Sequence, residues 1–213
     1  MSSLLVLLLL AVPALAGEPT AADVLSKVQA AHQEVAALQV DFSQTSSGPS
    51  FFDPLVQTGT FELERPDRIR WTFVAPTART YISDGKTLWI VEDENKTVQV
   101  FGRVDGLVRR YVDLLTGLGD AVGDFDVTLL ARAIPERTGL KLKPKLKDDQ
   151  IAWIELEVDA QHHVVGVVVV SPFGDRTDMQ LTNRRTPKDL PDERFTWTET
   201  VGWSTVQMTG TTP

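Results

Sequence analysis

The sequence predicts an α+β protein, a long curved antiparallel sheet with helices on one side. Two observations carry this. A capped amphipathic helix near the N-terminus gives way to segments in which apolar residues recur every second position. That alternation then lapses in the centre of the chain and returns, as expected for a meander interrupted by short covering helices.

The chain opens with an address. Leu4 to Val12 is an apolar run of nine residues, followed by Pro13 and Ala14-Leu15-Ala16. A membrane span needs roughly 20 apolar residues, so this run is a signal peptide (residues 1–16) with cleavage expected after Ala16. Residues 17–213 then form a single exported domain.

The helix starts at Thr20-Ala21-Ala22-Asp23, a capping-box pattern in which the Thr hydroxyl and the Asp carboxylate satisfy free N–H groups. Val24, Val28, Ala31, Val35 and Leu38 share one face over about 16 residues, with His32 and Gln33 expected toward water. In Thr58–Arg65, Phe61, Leu63 and Arg65 alternate with Thr60, Glu62 and Glu64. In Arg68–Val74, Ile69, Trp71 and Phe73 alternate with polar residues. Both patterns indicate antiparallel strands with one wet face. Asp84-Gly85 predicts a two-residue hairpin between Arg79–Ser83 and Lys86–Val91, and Lys96–Phe101 follows. Leu107 to Leu118 suits a short apolar helix, and Thr128–Ile134 a second one ended by Pro135. Strands resume at Gly139–Leu142, Ile151–Val158, Val164–Ser171 and Arg176–Thr182, with a last alternation at Phe195-Thr196-Trp197.

Composition narrows the chemistry. The 213 residues carry 21 basic and 29 acidic side chains, a formal charge of −8, with no cysteine. The thiol-free chain excludes disulfides, a cysteine nucleophile, a thiolate zinc site and lipidation through cysteine. The acidic balance opposes nucleic-acid binding, which needs a basic field. Nucleophile-elbow, zincin and phosphate-loop motifs are missing. The three histidines are His32, His162 and His163, and the adjacent pair at a hairpin edge points to opposite faces. Catalysis and metal or cofactor binding are not expected.

What stands out is surplus apolar character: Phe61, Leu63, Ile69, Trp71, Phe73, Leu88, Trp89, Ile90, Trp153, Ile154, Leu156 and Val164–Val170. One helix covers too little of it, which leaves two readings: a plain core, or a sheet bent around a cavity and lidded by the short helices of residues 107–134. Arg65 has the parity of Phe61 and Leu63, so its guanidinium is expected on the apolar side unless Pro66 turns the chain first. There it needs a carboxylate, carbonyls or a ligand, because a buried unpaired charge is costly.

Three motifs together resemble the outer-membrane lipoprotein carrier (LolA-type) family. Gly59-Thr60-Phe61-Glu62-Leu63-Glu64-Arg65-Pro66-Asp67-Arg68-Ile69-Arg70-Trp71 is similar to its G-x-[LF]-x-[LV]-x-R-P-x-x-[LIF]-x-W signature. Phe42-Ser43-Gln44 resembles its F-x-Q strand, and Ser83-Asp84-Gly85-Lys86-Thr87-Leu88-Trp89 its S-D-G-x-x-L-W hairpin. The resemblance implies an unclosed half β-barrel whose concave apolar face is covered by helices. It implies a monomeric periplasmic chaperone that takes acylated lipoproteins from an inner-membrane ABC-type exporter to an outer-membrane acceptor. An envelope sensor, or a carrier of another lipid, is the alternative on the same scaffold. The acyl-chain cavity is then lined by Phe61, Leu63, Ile69, Trp71, Phe73, Leu88, Trp89, Ile154 and Leu156. The lid helix carries Val108, Tyr111, Val112, Leu114 and Leu115. Arg65 becomes the lid latch, holding backbone carbonyls around Leu115 to Gly117.

Overall fold

The computed structural model describes residues 19–102, 112–113, 123–131 and 136–208. Helix α1 (Ala21–Gln33) starts at the predicted cap: Thr20 Oγ1 accepts from the Asp23 N–H at 3.2 Å, and Asp23 Oδ2 accepts from the Thr20 N–H at 3.0 Å. The helix is 13 residues long rather than 16, and Leu38 belongs to the following strand.

Among the described residues, one sheet contains twelve strands. In chain order they are β1 (Ala37–Ser47), β2 (Leu55–Glu64), β3 (Arg68–Ala75), β4 (Arg79–Ser83), β5 (Leu88–Glu92) and β6 (Thr97–Phe101), then β7 (Phe125–Leu130), β8 (Thr138–Pro144), β9 (Trp153–Val158), β10 (Val164–Val170), β11 (Arg176–Arg185) and β12 (Ser204–Gln207). Their spatial order is β12-β6-β5-β4-β3-β2-β1-β11-β10-β9-β8-β7, so β12 and β7 are the two edges and the sheet stays unclosed. All neighbours are antiparallel except β12, which runs parallel to β6. The long β1 joins the two halves, pairing with β2 on one side and β11 on the other.

One face holds the main core. Val24, Leu25 and Val28 of α1 pack in one cluster with residues from β1, β2 and β3 and from β8, β9, β10 and β11. For strands so far apart in the sheet to share a cluster, the sheet must curl around the helix. Gly59 is needed where Phe42 packs: a Cβ there would lie 1.8 Å from the Thr72 carbonyl oxygen and 2.9 Å from the Phe42 ring.

Several expectations are corrected. The region expected as a second short helix from Thr128 is strand β7 through Leu130, pairing with β8; residues 132–135 lie outside the described residues. The Asp84-Gly85 turn is a four-residue loop, since Ser83 pairs with Leu88. There Asp84 Oδ1 accepts from the N–H groups of Lys86 and Thr87, each at 2.8 Å, and Gly85 adopts φ +90°. The last strand is Ser204–Gln207 and not Phe195-Thr196-Trp197, because Phe195 ends a short 3₁₀ turn. Residues 1–16, and so the expected signal peptide, lie outside the described residues. Among the described residues, no helix is long and apolar enough to cross a membrane.

Glu62 and Glu64, expected in water, are buried, with 4% and 9% of their surface exposed. The reason is the C-terminal segment, which crosses the convex face. Arg194 donates from Nε and Nη2 to the two Glu62 carboxylate oxygens at 2.7 and 2.6 Å. Arg68 bridges Glu64 and Asp192 and stacks over Phe195 at 5.1 Å from the ring centroid. Phe195 is fully buried against Ala37 and Leu190. Further along, Trp197 and Trp203 cover Ile82, Val91 and Val98.

Candidate functional site

The concave face is a trough with two unlike walls. Cross-strand register sets Tyr81, Trp71, Phe61 and Val40 in one row and Phe73, Gly59, Phe42 and Leu181 in the next. The rings interlock: Phe61 meets Trp71 edge-on at 6.1 Å, Phe42 meets Phe73 at 5.0 Å, and Trp71 lies 5.1 Å from Phe73. Offset and edge contacts of this kind add to the area they bury. The other wall is aliphatic, with Leu142 beside Ile154 and Val169, and Leu140 beside Leu156, Val167 and Met179. Helix α1 lies across both walls.

The structure brings together most of the predicted lining. Phe61, Leu63, Ile69, Trp71, Phe73, Ile154 and Leu156 belong to the single core cluster. Leu88 sits in a smaller cluster with Ile90 and Phe101, which reaches the trough through Tyr81. Trp89 does not belong to this face. It pairs with Ile82 and Val100 and packs on the convex side under Trp197 and Trp203. Its neighbours Leu88 and Ile90 point the other way, as successive strand residues must. Trp153 is likewise on the outer side, with Lys141 Nζ 4.4 Å from its ring centroid. Of the expected lid residues, Val112 is described, and it is buried in the trough cluster. Val108, Tyr111, Leu114 and Leu115 lie outside the described residues.

Arg65 is exposed, because β2 ends at Glu64 and the chain turns at Pro66. Its Nε donates to the Val35 carbonyl at 3.0 Å and its Nη2 to the His32 carbonyl at 2.9 Å. These carbonyls lie at the C-terminal end of α1, where the helix leaves acceptors unsatisfied and its dipole favours a cation. The expected acceptors, Leu115 to Gly117, lie outside the described residues. Among those described, Arg65 therefore ties the helix, rather than the central segment, to the β2–β3 turn.

His32 also departs from expectation. It is 3% exposed and donates from Nδ1 to the Val28 carbonyl at 2.8 Å. Burial pulls its pKa from 6.5 to about 4, and the nearby Arg184, His163 and Arg65 push the same way. It is neutral at pH 7. Its position four residues after Val28 was the available signal, since that puts it on the apolar face of α1.

The trough changes character along β1. After Leu38, Val40 and Phe42, the inward positions become Gln44 and Ser46, both buried. Gln44 Nε2 donates to Gln57 Oε1 at 3.2 Å, and the Ser46 and Thr177 hydroxyls are 3.2 Å apart.

An unclosed antiparallel half-barrel curled around one N-terminal helix, with an apolar concave face, defines the structural class. The chain belongs to the family described as outer membrane lipoprotein carrier protein LolA, whose match spans residues 33–198. It is 28% identical over 176 residues to the outer-membrane lipoprotein carrier protein of Bordetella avium (strain 197N), covering 79% of each chain. It is 25% identical over 196 residues to the protein of that description from Methylibium petroleiphilum (strain ATCC BAA-1232 / LMG 22953 / PM1), covering 91% of this chain and 94% of that one. The crystal structure of an uncharacterized conserved protein from Thermus thermophilus has a similar fold, with a TM-score of 0.58 at 12% identity over 88% of this chain and 99% of that one.

Proposed function

We propose that this protein is a non-enzymatic periplasmic carrier of lipoproteins. It takes up the acyl chains of lipoproteins that an inner-membrane ABC-type exporter releases, and passes them to an outer-membrane acceptor. Residues 1–16 are its cleaved signal peptide and residues 17–213 the carrier domain. One observation carries the reading: in a chain of this family, the concave face is a continuous apolar trough of aromatic and aliphatic walls under helix α1.

The physics of the task fits that trough. Burying an acyl chain yields about 0.8 kcal/mol per CH₂, so a lipoprotein does not leave a membrane without an equivalent apolar site. An empty site of that kind must stay covered, since large exposed apolar patches drive association. Helix α1 is the cover. Arg65 is the latch on its C-terminal end, breaking two hydrogen bonds when the cover lifts. A few kcal/mol between closed and open states is enough for loading and for onward transfer.

The test is mass spectrometry of what the mature protein removes from spheroplasts of its own host. N-terminally acylated proteins in one-to-one soluble complexes support the carrier reading. Recovery of only phospholipid or another apolar molecule replaces it with a carrier or sensor of another lipid.

A further inference from the structure

The carbonyl oxygen of Gln44 is a buried acceptor without a hydrogen-bond partner among the described residues. Its residue is 9% exposed, on the concave side of β1. Such a group costs free energy in the folded protein unless something reaches it. Its Nε2 donates to Gln57 Oε1 at 3.2 Å and lies 3.5 Å from Ser46 Oγ. What the side chain leaves unused in this arrangement is acceptor capacity, and only a donor can use it.

Its place in the register gives that donor a setting. Gln44 stands between Met179 of β11 and Gln57 of β2, in the row next to Leu181, Phe42, Gly59 and Phe73. Rows two residues apart are about 7 Å apart along a strand. The following row brings Ser46 opposite Thr177. An amphiphile whose chain lies on the aromatic rows meets Gln44 where its chain ends and its first polar group begins.

We infer that Gln44 reads a hydrogen-bond donor at the head of the cargo, an amide N–H next to the acyl chain, and so fixes which way the cargo lies in the trough. The inference rests on the carrier reading above. It makes Gln44 a specificity residue that favours acyl amides over acyl esters, because an ester oxygen in the same position offers no proton and leaves the acceptor unmade.

The test compares two ligands that differ in one group, N-palmitoylglycine methyl ester and its analogue with the amide N–H replaced by an ester oxygen. Each competes with a fluorescent acyl probe for the purified mature protein. The expected result is a preference of about tenfold for the amide, the scale of one net hydrogen bond. That preference is lost in Gln44→Met, which keeps the volume and removes the acceptor. It is retained in Gln44→Glu, which keeps an acceptor at the same place. Equal binding of both ligands by the unaltered protein overturns the inference and leaves the carrier reading standing. Binding of neither ligand overturns the carrier reading itself. A preference that survives in Gln44→Met, with native circular dichroism, assigns the donor to another residue and overturns the inference. Should Gln44→Met fail to fold, loss of the preference in Gln44→Glu overturns the inference equally.

Discussion

The two faces of this sheet are covered in opposite ways. On the concave side, α1 rests on apolar side chains and is tied at its C-terminal end by Arg65, through two hydrogen bonds to carbonyls. On the convex side, the C-terminal segment is pinned by the paired Glu62–Arg194 contact, by Arg68 between Glu64 and Asp192, and by the buried Phe195. Apolar cargo entering under α1 replaces the apolar contacts the helix gives up, whereas withdrawing one partner from a buried, hydrogen-bonded carboxylate leaves its charge unpaired and is strongly penalised. On the carrier reading proposed above, the convex cover is the permanent one and the concave cover the one that moves.

The comparison can be broken at four points. Phe195→Ala has the largest expected effect. It empties a fully buried ring site under the strap and costs about 3–5 kcal/mol, read as a lower urea midpoint with an unchanged slope. An undiminished midpoint contradicts a fixed convex cover. Acid acts on the other side. The His32 pKa is about 4 in the folded protein against 6.5 ordinarily, so the unfolded chain binds the extra proton between these values. Stability is therefore fully present above pH 6.5 and falls as the pH drops toward 4, by about 3 kcal/mol from this group. His32→Leu flattens that part of the stability profile, and a profile unchanged in this variant removes His32 as the cause.

Arg194→Ala withdraws one partner from buried Glu62 and costs about 2 kcal/mol, less than a wholly buried pair because the Arg194 side chain is 43% exposed. Arg65→Leu has the smallest effect on stability, about 1 kcal/mol for the lost hydrogen bonds, but the largest on transfer. It leaves folding and cargo loading intact and slows delivery to the acceptor. Normal delivery by this variant contradicts the latch.

The sequence was most legible where one face of a strand is wet. Phe61 and Leu63 of β2 and Ile69, Trp71 and Phe73 of β3 alternate with polar residues, and the structure puts all five on one face, as that pattern predicts. Alternation tells which residues share a face but not which face is covered. That is why the pattern alone sends Glu62 and Glu64 to water: nothing in β2 announces that a segment 126 to 132 residues later lies on them. The face of Trp89 is hidden for a related reason. In Leu88-Trp89-Ile90 both faces are apolar because both are covered, so the run carries no period to read. β7 was hidden because Thr128-Leu129-Leu130-Ala131 satisfies helix and strand alike, and its pairing with β8 decides the matter. The capping box at Thr20, set by four neighbouring residues, needed no tertiary information. The shared face of Phe61, Leu63, Ile69, Trp71 and Phe73 was legible from parity, whereas the Arg65 contact required knowing where α1 ends.

The most direct measurement places a photoreactive amino acid at Leu156 in one variant and at Trp89 in another, each irradiated with an acylated lipoprotein bound. The concave trough predicts a covalent adduct to the acyl chain from position 156 and none from position 89. An adduct from position 89, with position 156 silent, would put the cargo on the convex face and contradict the account.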